Sequence, residues 1–242
     1  MSKTAIVIGA TGLVGSEIMN LLLEDEHYQT VKVFHRRSTG ISHPKLEEHV
    51  INFDEVNEWK HLLTGDEFYS ALGTTIKKAG SQEAQYTVDF TYQYETAKAA
   101  AKNGVKKYSL VSSAGANHQS RMFYSRLKGE LDEAVKELPF EVTTVLRPSI
   151  LDGDRNEKRP AEKFGLLMAR LFTKIPGLKK YRPILAQKVA VGMINSLQKC
   201  PPGYHIFELD EIFICKVKRH DASCLYRRER QFSICGLITY YH

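Results

Sequence analysis

Short apolar runs alternate with amphipathic stretches along the first 150 residues. The runs are rich in β-branched residues and end at turn residues, which is typical of strands buried on both faces. Strands are predicted at residues 4–8, 31–34, 49–53, 67–72, 107–112 and 141–146. The stretches between them repeat apolar residues at helical spacing, at 14–23, 56–63, 81–103 and 123–138. Strands that alternate with helices pair in parallel through right-handed crossovers. We therefore predict an α/β fold, a Rossmann-type doubly wound parallel sheet with a small C-terminal cap.

The regular alternation stops after Pro148. Helices are predicted at 164–172 and 186–197 and a last strand at 205–209, with several prolines between them. Three regions follow from this pattern. Residues 1–148 form the dinucleotide-binding Rossmann core, residues 149–212 form a small cap and the final strand of the same domain, and residues 213–242 form an atypical tail.

The tail holds scattered aromatic residues, three of the four cysteines and a cluster of arginines, without clear periodicity. Two interpretations stay open for it. The first is a segment that is not native, such as read-through past a lost stop codon or a shifted reading frame. The second is an ordinary C-terminal extension.

Composition and charge exclude several classes of function. Hydrophobic residues make up 43% and charged residues 26% of the chain, the usual mix of a soluble globular protein. Apolar runs are too short to span a bilayer, and the N-terminus does not resemble a secretory signal, so we expect a cytoplasmic protein without a membrane partner. The tail contributes +4 of the net charge of +6, so no nucleic-acid partner is expected. The cysteine and histidine spacings predict no metal site.

Gly9, Gly12 and Gly15 follow the first predicted strand and open the first predicted helix. A dinucleotide-binding glycine motif requires this strand–turn–helix context. The first glycine permits a sharp turn, the second lets a pyrophosphate approach the backbone, and the third allows the helix to pack close to the sheet. Free N–H groups at the helix N-terminus favour phosphate there. The further predicted phosphate contacts are Thr11 and the N–H groups of Leu13 and Val14.

The residues after the second predicted strand indicate which dinucleotide binds. An NAD site usually carries an acidic residue there, which binds the ribose hydroxyls. This chain instead has Arg36 and Arg37, and guanidinium groups suit the 2′-phosphate of NADP. We predict NADP (NADPH) as the cofactor and regard NAD as less favoured; the alternative is that both arginines are solvated turn residues. Phe53 and Asp54, after the third predicted strand, are expected beside the adenine.

Tyr124 and Lys128 are four residues apart on a predicted helix, so they lie on one face. A neighbouring ammonium group stabilises a phenolate, and such a tyrosine can exchange a proton as a carbonyl and an alcohol interconvert. Ser112 and Ser113 end the fifth predicted strand, at the sheet edge where ligands bind in such folds. We predict Ser113, Tyr124 and Lys128 as the catalytic residues, and the choice between Ser112 and Ser113 stays open.

Five segments together resemble the atypical short-chain dehydrogenase/reductases. They are the glycine turn at 9–15, Leu72-Gly73-Thr74-Thr75, the VSSAGA segment at 111–116, Tyr124-x-x-x-Lys128-Gly129-Glu130 and Arg147-Pro148. More narrowly, the chain looks like the Tat-interacting-protein-like oxidoreductase branch and its bacterial relatives. The similarity runs from about residue 3 to residue 209.

The resemblance implies roles for individual residues. Ser113, Tyr124 and Lys128 match the family's serine, tyrosine and lysine, and Lys128 would also bind the nicotinamide ribose. The residues implied to line the cofactor further along are Leu72, Gly73, Thr74 and Pro148. The region after Pro148 is too short for the large substrate domain of sugar epimerases.

We therefore predict an NADP-dependent oxidoreductase that acts on a small carbonyl or alcohol. One alternative is a non-catalytic NADPH-binding regulatory protein that senses redox state, because relatives in the resembled branch interact with other proteins. Another is a nucleotide-sugar epimerase or dehydratase. A homodimer or a protein partner also stays open, since the helices at 81–103 and 123–138 are the ones that often pair across dimers in the superfamily.

Overall fold

The computed structural model describes residues 2–152 and 182–213. Its strands are β1 (Lys3–Ile8), β2 (Tyr28–His35), β3 (Leu46–Val50), β4 (Glu67–Ser70), β5 (Lys107–Val111), β6 (Val142–Arg147), β7 (Leu151–Asp152), β8 (Ile184–Leu185) and β9 (Gly203–Glu208). Its α-helices are α1 (Leu13–Glu24), α2 (Val56–Trp59), α3 (Ile76–Ala79), α4 (Gln82–Tyr86), α5 (Tyr92–Lys102), α6 (Phe123–Lys136) and α7 (Ala186–Lys199). Within these ranges, every helix is too short or too polar to span a bilayer.

Seven parallel strands form the central sheet in the order β3-β2-β1-β4-β5-β6-β9. The chain winds outward from β1 to β3, then crosses over and winds outward on the other side from β4 to β9. This is the predicted Rossmann-type doubly wound sheet, and it is confirmed. The order reverses between β1 and β4, and ligands of such sheets bind at the carboxyl ends of the strands at this point.

Helices cover both faces of the sheet, which explains the continuous apolar runs of the strands. Along β1, Ala5 and Val7 face one core with α1 and α7, while Ile6 and Ile8 face the other with α5 and α6. Successive side chains of a strand point to opposite faces, so a strand covered on both sides is apolar on both faces rather than on one. Because all seven strands are parallel, their carboxyl ends lie along one edge of the sheet, between the two helix layers.

Several predicted elements differ from the structure in their bounds, and the helix predicted at 56–63 is α2 followed by a 3-10 helix (Lys60–Leu62). The third strand was expected at 49–53 but spans Leu46–Val50, because Phe53 begins a short 3-10 helix (Phe53–Glu55) and packs edge-on against Trp59, with ring centroids 5.6 Å apart. The helix expected at 81–103 is divided into α4, a π-helical turn (Thr87–Thr91) and α5.

The region after Pro148 is described only in part. The predicted helix at 164–172, in the predicted cap, and the tail from residue 214 lie outside the described residues. In the part that is described, α7 packs against α1 and the sheet, and β9 pairs with β6 as the last strand of the sheet. β7, which follows β6 closely, pairs in parallel with β8 in a separate two-stranded sheet.

Candidate cofactor-binding and active site

The turn between β1 and α1 is compact because its glycines leave no room for side chains. Gly9 has a φ of +79°, and a Cβ there would lie 2.5 Å from the carbonyl carbon and oxygen of Ala71, beside the end of β4. A Cβ at Gly15 would overlap the carbonyl oxygen of Gly9. These two glycines therefore let α1 begin directly against the sheet.

The N-terminus of α1 has the properties of an anion site. Gly12 caps the helix without a side-chain hydrogen bond, the first turn carries no acidic residue, and the Gly12 N–H donates to the Gly9 carbonyl oxygen over 2.8 Å. The side chain of Val14 is buried in the core, so only its N–H can reach a ligand, whereas Thr11 is exposed. A Cβ at Gly12 would fill part of this cradle, and the cradle fits the pyrophosphate of a dinucleotide.

A cavity of about 560 Å³ lies between the turn after β2 and the α3–α5 segment. Arg36, Thr74 and Tyr92 contribute to its lining, together with Lys78. The Tyr92 hydroxyl donates to Asp54 over 2.5 Å, and burial together with this hydrogen bond raises the pKa of Tyr92 to about 12. Phe53 stacks on Tyr92 with ring centroids 5.2 Å apart. Because Tyr92 contacts Asp54 and lines the cavity together with Arg36, Asp54 and Arg36 lie at the same end of the site.

The turn that carries the two arginines is fixed from the neighbouring strand. Glu48 of β3 accepts hydrogen bonds from the hydroxyl of Ser38 and from the N–H and hydroxyl of Thr39, with a Thr39 N–H distance of 2.8 Å. The hydroxyl hydrogen bonds from Ser38 and Thr39 are the main reason that the pKa of Glu48 falls to about 2. Arg37 is exposed on this turn and, unlike Arg36, does not line the cavity.

Lys128 is buried at the carboxyl edge of the sheet, and Tyr124 lies beside it. The lysine is 4% exposed, and its Nζ lies 5.9 Å from the centroid of the Tyr124 ring. Tyr124 itself is 45% exposed, so its hydroxyl is open to a ligand. Burial alone would lower the pKa of Lys128, but Asp89, Tyr124 and Asp132 around it raise that pKa above its ordinary value.

The two serines after β5 have different environments. Ser112 is buried beside Asp132, whereas Ser113 is partly exposed and makes only a 3.5 Å hydrogen bond to the adjacent Ala114 carbonyl oxygen. Ser113 is therefore the more accessible of the two serines. Its loop is tied to the start of α6, because the Asn117 N–H donates to the Ser125 carbonyl oxygen over 3.0 Å.

Backbone contacts bring the remaining predicted residues to this edge. The Ala114 N–H donates to the carbonyl oxygen of Pro148 over 2.9 Å, which holds the loop after β6 against the loop after β5. Leu72, Gly73 and Thr74 follow β4, and the Thr74 N–H donates to Asp89 Oδ1 over 2.6 Å. The structure therefore gathers the glycine turn, the 72–74 loop, Ser113, Tyr124, Lys128 and Pro148 along one edge.

Asp89 belongs to this site but was not among the predicted residues. Its carboxylate is 1% exposed and lies between the 72–74 loop and Lys128. A signal for it was present in the sequence, because Gln85, Asp89 and Gln93 place polar residues at intervals of four on the side of the helix that faces the protein interior.

Comparison with known proteins is consistent with this site. A family model described as NAD(P)H-binding matches residues 9–166. The chain is 39% identical over 216 residues to the mitochondrial protein fmp52 of Aspergillus fumigatus, covering 84% of this chain and 92% of the relative. It is 39% identical over 175 residues to the mitochondrial FMP52 protein of Coccidioides immitis, covering 67% of this chain and 71% of that protein.

A solved structure shares the fold at low identity. It is a short-chain dehydrogenase/reductase superfamily protein from Agrobacterium tumefaciens with bound NAD, at a TM-score of 0.66 and 14% identity, covering 85% of this chain and 76% of the other. The relatives' names correct one expectation: they are mitochondrial proteins, so the expected cytoplasmic location is wrong. The chain belongs to the NAD(P)H-binding family, which it shares with the Fmp52 proteins.

Proposed function

We propose that this protein is an NADPH-dependent oxidoreductase of a small carbonyl or alcohol compound, with Ser113, Tyr124 and Lys128 as its catalytic residues. The observation that carries the proposal is a buried ammonium group, Lys128, beside an exposed tyrosine at the sheet edge that also holds the glycine turn. The resemblance to Tat-interacting-protein-like oxidoreductases supports the same chemistry.

In the direction of carbonyl reduction, NADPH supplies a hydride to the carbonyl carbon when it is bound. The Tyr124 hydroxyl donates its proton to the substrate oxygen, and the phenolate that remains is stabilised by the positive charge of Lys128. Ser113 donates a hydrogen bond to the same oxygen and so holds the carbonyl against Tyr124. In the reverse direction the Tyr124 phenolate takes the proton of the alcohol.

The cofactor would lie along the carboxyl edge of the sheet, from the cavity at Arg36 to the tyrosine. The glycine turn binds the pyrophosphate through backbone N–H groups, and Lys128 binds the nicotinamide ribose. NADPH is preferred over NADH because Arg36 can pair with a 2′-phosphate, while the residues that follow β2 include no carboxylate for a free ribose hydroxyl. The other residues proposed to contact the cofactor are Arg37, Asp54, Leu72, Gly73, Thr74 and Pro148.

The test is turnover by the purified protein with NADPH or NADH and a panel of small aldehydes and ketones, followed by nicotinamide absorbance. Tyr124→Phe removes only the hydroxyl, so we expect turnover to fall by on the order of a hundredfold or more while NADPH affinity stays within about twofold. Tyr94→Phe is the matched control, because Tyr94 lies on α5 and stacks on Phe90 instead of facing Lys128.

Three results would count against the proposal. Full activity of Tyr124→Phe excludes this tyrosine as the proton donor. Tighter binding of NADH than of NADPH excludes the preferred cofactor. Tight NADPH binding without turnover of any carbonyl compound contradicts an enzymatic function and favours a cofactor-gated binding protein.

A further inference from the structure

A chain of buried hydrogen bonds leads from β4 to the π-helical turn between α4 and α5. The Ser70 hydroxyl donates to Gln93 Oε1 over 2.6 Å, and Gln93 Nε2 donates to the backbone carbonyl oxygen of Asp89 over 2.7 Å. All three residues are buried. π-helical turns are rare and often mark functional sites. Here the turn is fixed to the sheet at the residue whose side chain reaches Lys128.

The two carboxylate oxygens of Asp89 have different partners. Oδ1 accepts the N–H of Thr74 over 2.6 Å, and Oδ2 lies 3.5 Å from Nζ of Lys128. Thr74 belongs to the loop proposed to line the cofactor, and Lys128 is the proposed catalytic lysine. A single carboxylate therefore joins two parts of the site that come from different elements.

The Asp89 carboxylate offsets part of the cost of burying the Lys128 ammonium group. A buried ammonium without a partner is strongly destabilised and becomes neutral instead. The charged or titratable groups that face it are Asp89 from the π-helical turn and, from its own helix, Tyr124 and Asp132. Asp132 is already paired with Arg147 of β6, whose Nε lies 2.9 Å from Asp132 Oδ2. Among the described residues, Asp89 is thus the carboxylate that forms an ion pair with the lysine.

We propose that Asp89 is a positioning residue whose carboxylate keeps Lys128 charged and ties it to the cofactor loop at Thr74. The catalytic consequence of this role rests on the proposed function, whereas the charge of Lys128 does not. Asp89→Asn is the informative change, because the amide oxygen can still accept the Thr74 N–H while the negative charge is lost.

The charge of Lys128 can be measured without cofactor or substrate. Lysine labelled with ¹³C at Cε reports its own protonation by NMR, and Lys128→Arg assigns the signal. We expect the wild-type Lys128 signal to stay at its charged position up to pH 10. In Asp89→Asn the Lys128 pKa falls, because the main group that offsets burial is lost, and the signal moves at lower pH. Glu95→Gln, on the partly exposed side of α5, is the matched control and leaves the signal unchanged.

Two results overturn the proposal. The first is a Lys128 signal that titrates at the same pH in wild type and in folded Asp89→Asn. The second is a wild-type Lys128 that is already neutral at pH 10. This measurement needs no variant, so it still tests the proposal if Asp89→Asn does not fold.

NADPH affinity across the pH range separates this proposal from the proposed function. Wild type should bind NADPH with little change between pH 7 and 9.5, whereas Asp89→Asn should lose on the order of tenfold in affinity over this range as Lys128 is neutralised. If the NMR contrast holds but neither protein binds NADPH, the proposed function fails and the role of Asp89 toward Lys128 stands. If both proteins bind NADPH with the same pH profile, the coupling of Asp89 to cofactor binding is wrong.

Discussion

At the scale of single residues, the glycines of the β1–α1 turn have separate physical tasks. Gly15 lies where any Cβ would overlap the Gly9 carbonyl oxygen, so it permits the contact between helix and sheet. Gly12 has an ordinary φ of −85°, and its Cβ would approach only the Gly9 carbonyl oxygen at 3.1 Å and that of Ala71 at 3.8 Å. Gly15 is therefore needed for folding, whereas Gly12 mainly leaves space for a ligand.

This difference gives a prediction for two alanine substitutions. Gly15→Ala should lower the free energy of unfolding by about 3 kcal/mol or more, because backbone atoms would have to move. Gly12→Ala should cost only about 1 kcal/mol but abolish measurable NADPH binding, because its methyl group occupies the phosphate cradle. Urea unfolding and fluorescence titration measure the two effects. Equal loss of stability in both variants would contradict the assignment.

The two arginines after β2 are neighbours in sequence but differ in their surroundings. Both are exposed, but only Arg36 lines the cavity with Thr74 and Tyr92. We expect Arg36→Ala to weaken NADPH binding by on the order of ten- to a hundredfold and to leave NADH binding unchanged, because a charge-assisted pair to a 2′-phosphate is lost. Arg37→Ala is the matched control, with a smaller effect. Equal loss of NADH and NADPH binding by Arg36→Ala would show that the arginine does not bind the 2′-phosphate.

At the scale of elements, β3 fixes the turn that follows β2. Glu48 binds the side chains of Ser38 and Thr39, and its buried neighbour His35 places Nε2 3.3 Å from the same carboxylate. The turn that carries Arg36 is thus shaped by a residue from the next strand. The helical stretch from α4 to α5 likewise depends on a neighbouring strand, since the hydrogen bond from Ser70 of β4 to Gln93 fixes its π-helical turn.

The Glu48 contact predicts a dependence of stability on pH. The folded pKa of Glu48 is about 2, below its ordinary value of 4.5, so the unfolded chain binds the proton more readily. Its stabilising contribution is complete above pH 4.5 and is lost as the pH falls toward 2. The difference in unfolding free energy between wild type and Glu48→Gln should therefore shrink between pH 6 and pH 3 in urea titrations. Glu58→Gln, an exposed change on α2, should give a curve parallel to wild type, and a parallel curve for Glu48→Gln would refute the prediction.

At the scale of the whole molecule, the two edges of the sheet have different roles. At the amino end of the strands, Glu67 is buried and accepts hydrogen bonds from Lys3 at 2.7 Å, Tyr28 at 2.5 Å and Tyr69 at 2.7 Å. Burial alone would raise the pKa of Glu67, but these partners lower it below its ordinary value. This satisfied network ties β1, β2 and β4 together, while the carboxyl edge leaves Ser113 and Tyr124 accessible.

The sequence by itself determined the fold and the position of the glycine turn between β1 and α1. Apolar periodicity and glycine spacing are local signals, because a strand covered on both faces carries apolar residues on both and the turn tolerates no Cβ at Gly9 or Gly15. The bounds predicted for the edge strand β3 are wrong because none of its residues is fully buried, so its apolar pattern is weak.

Only the tertiary structure decided which polar residues work together. Ser112 and Ser113 are equivalent in the sequence, and burial beside Asp132 separates them. Arg36 and Arg37 are likewise distinguished only by the cavity that one of them lines. Asp89 is 39 residues from Lys128 along the chain, and their contact exists because the π-helical turn packs against α6 on one face of the sheet. Such pairings depend on the packing of distant elements, which no local pattern encodes.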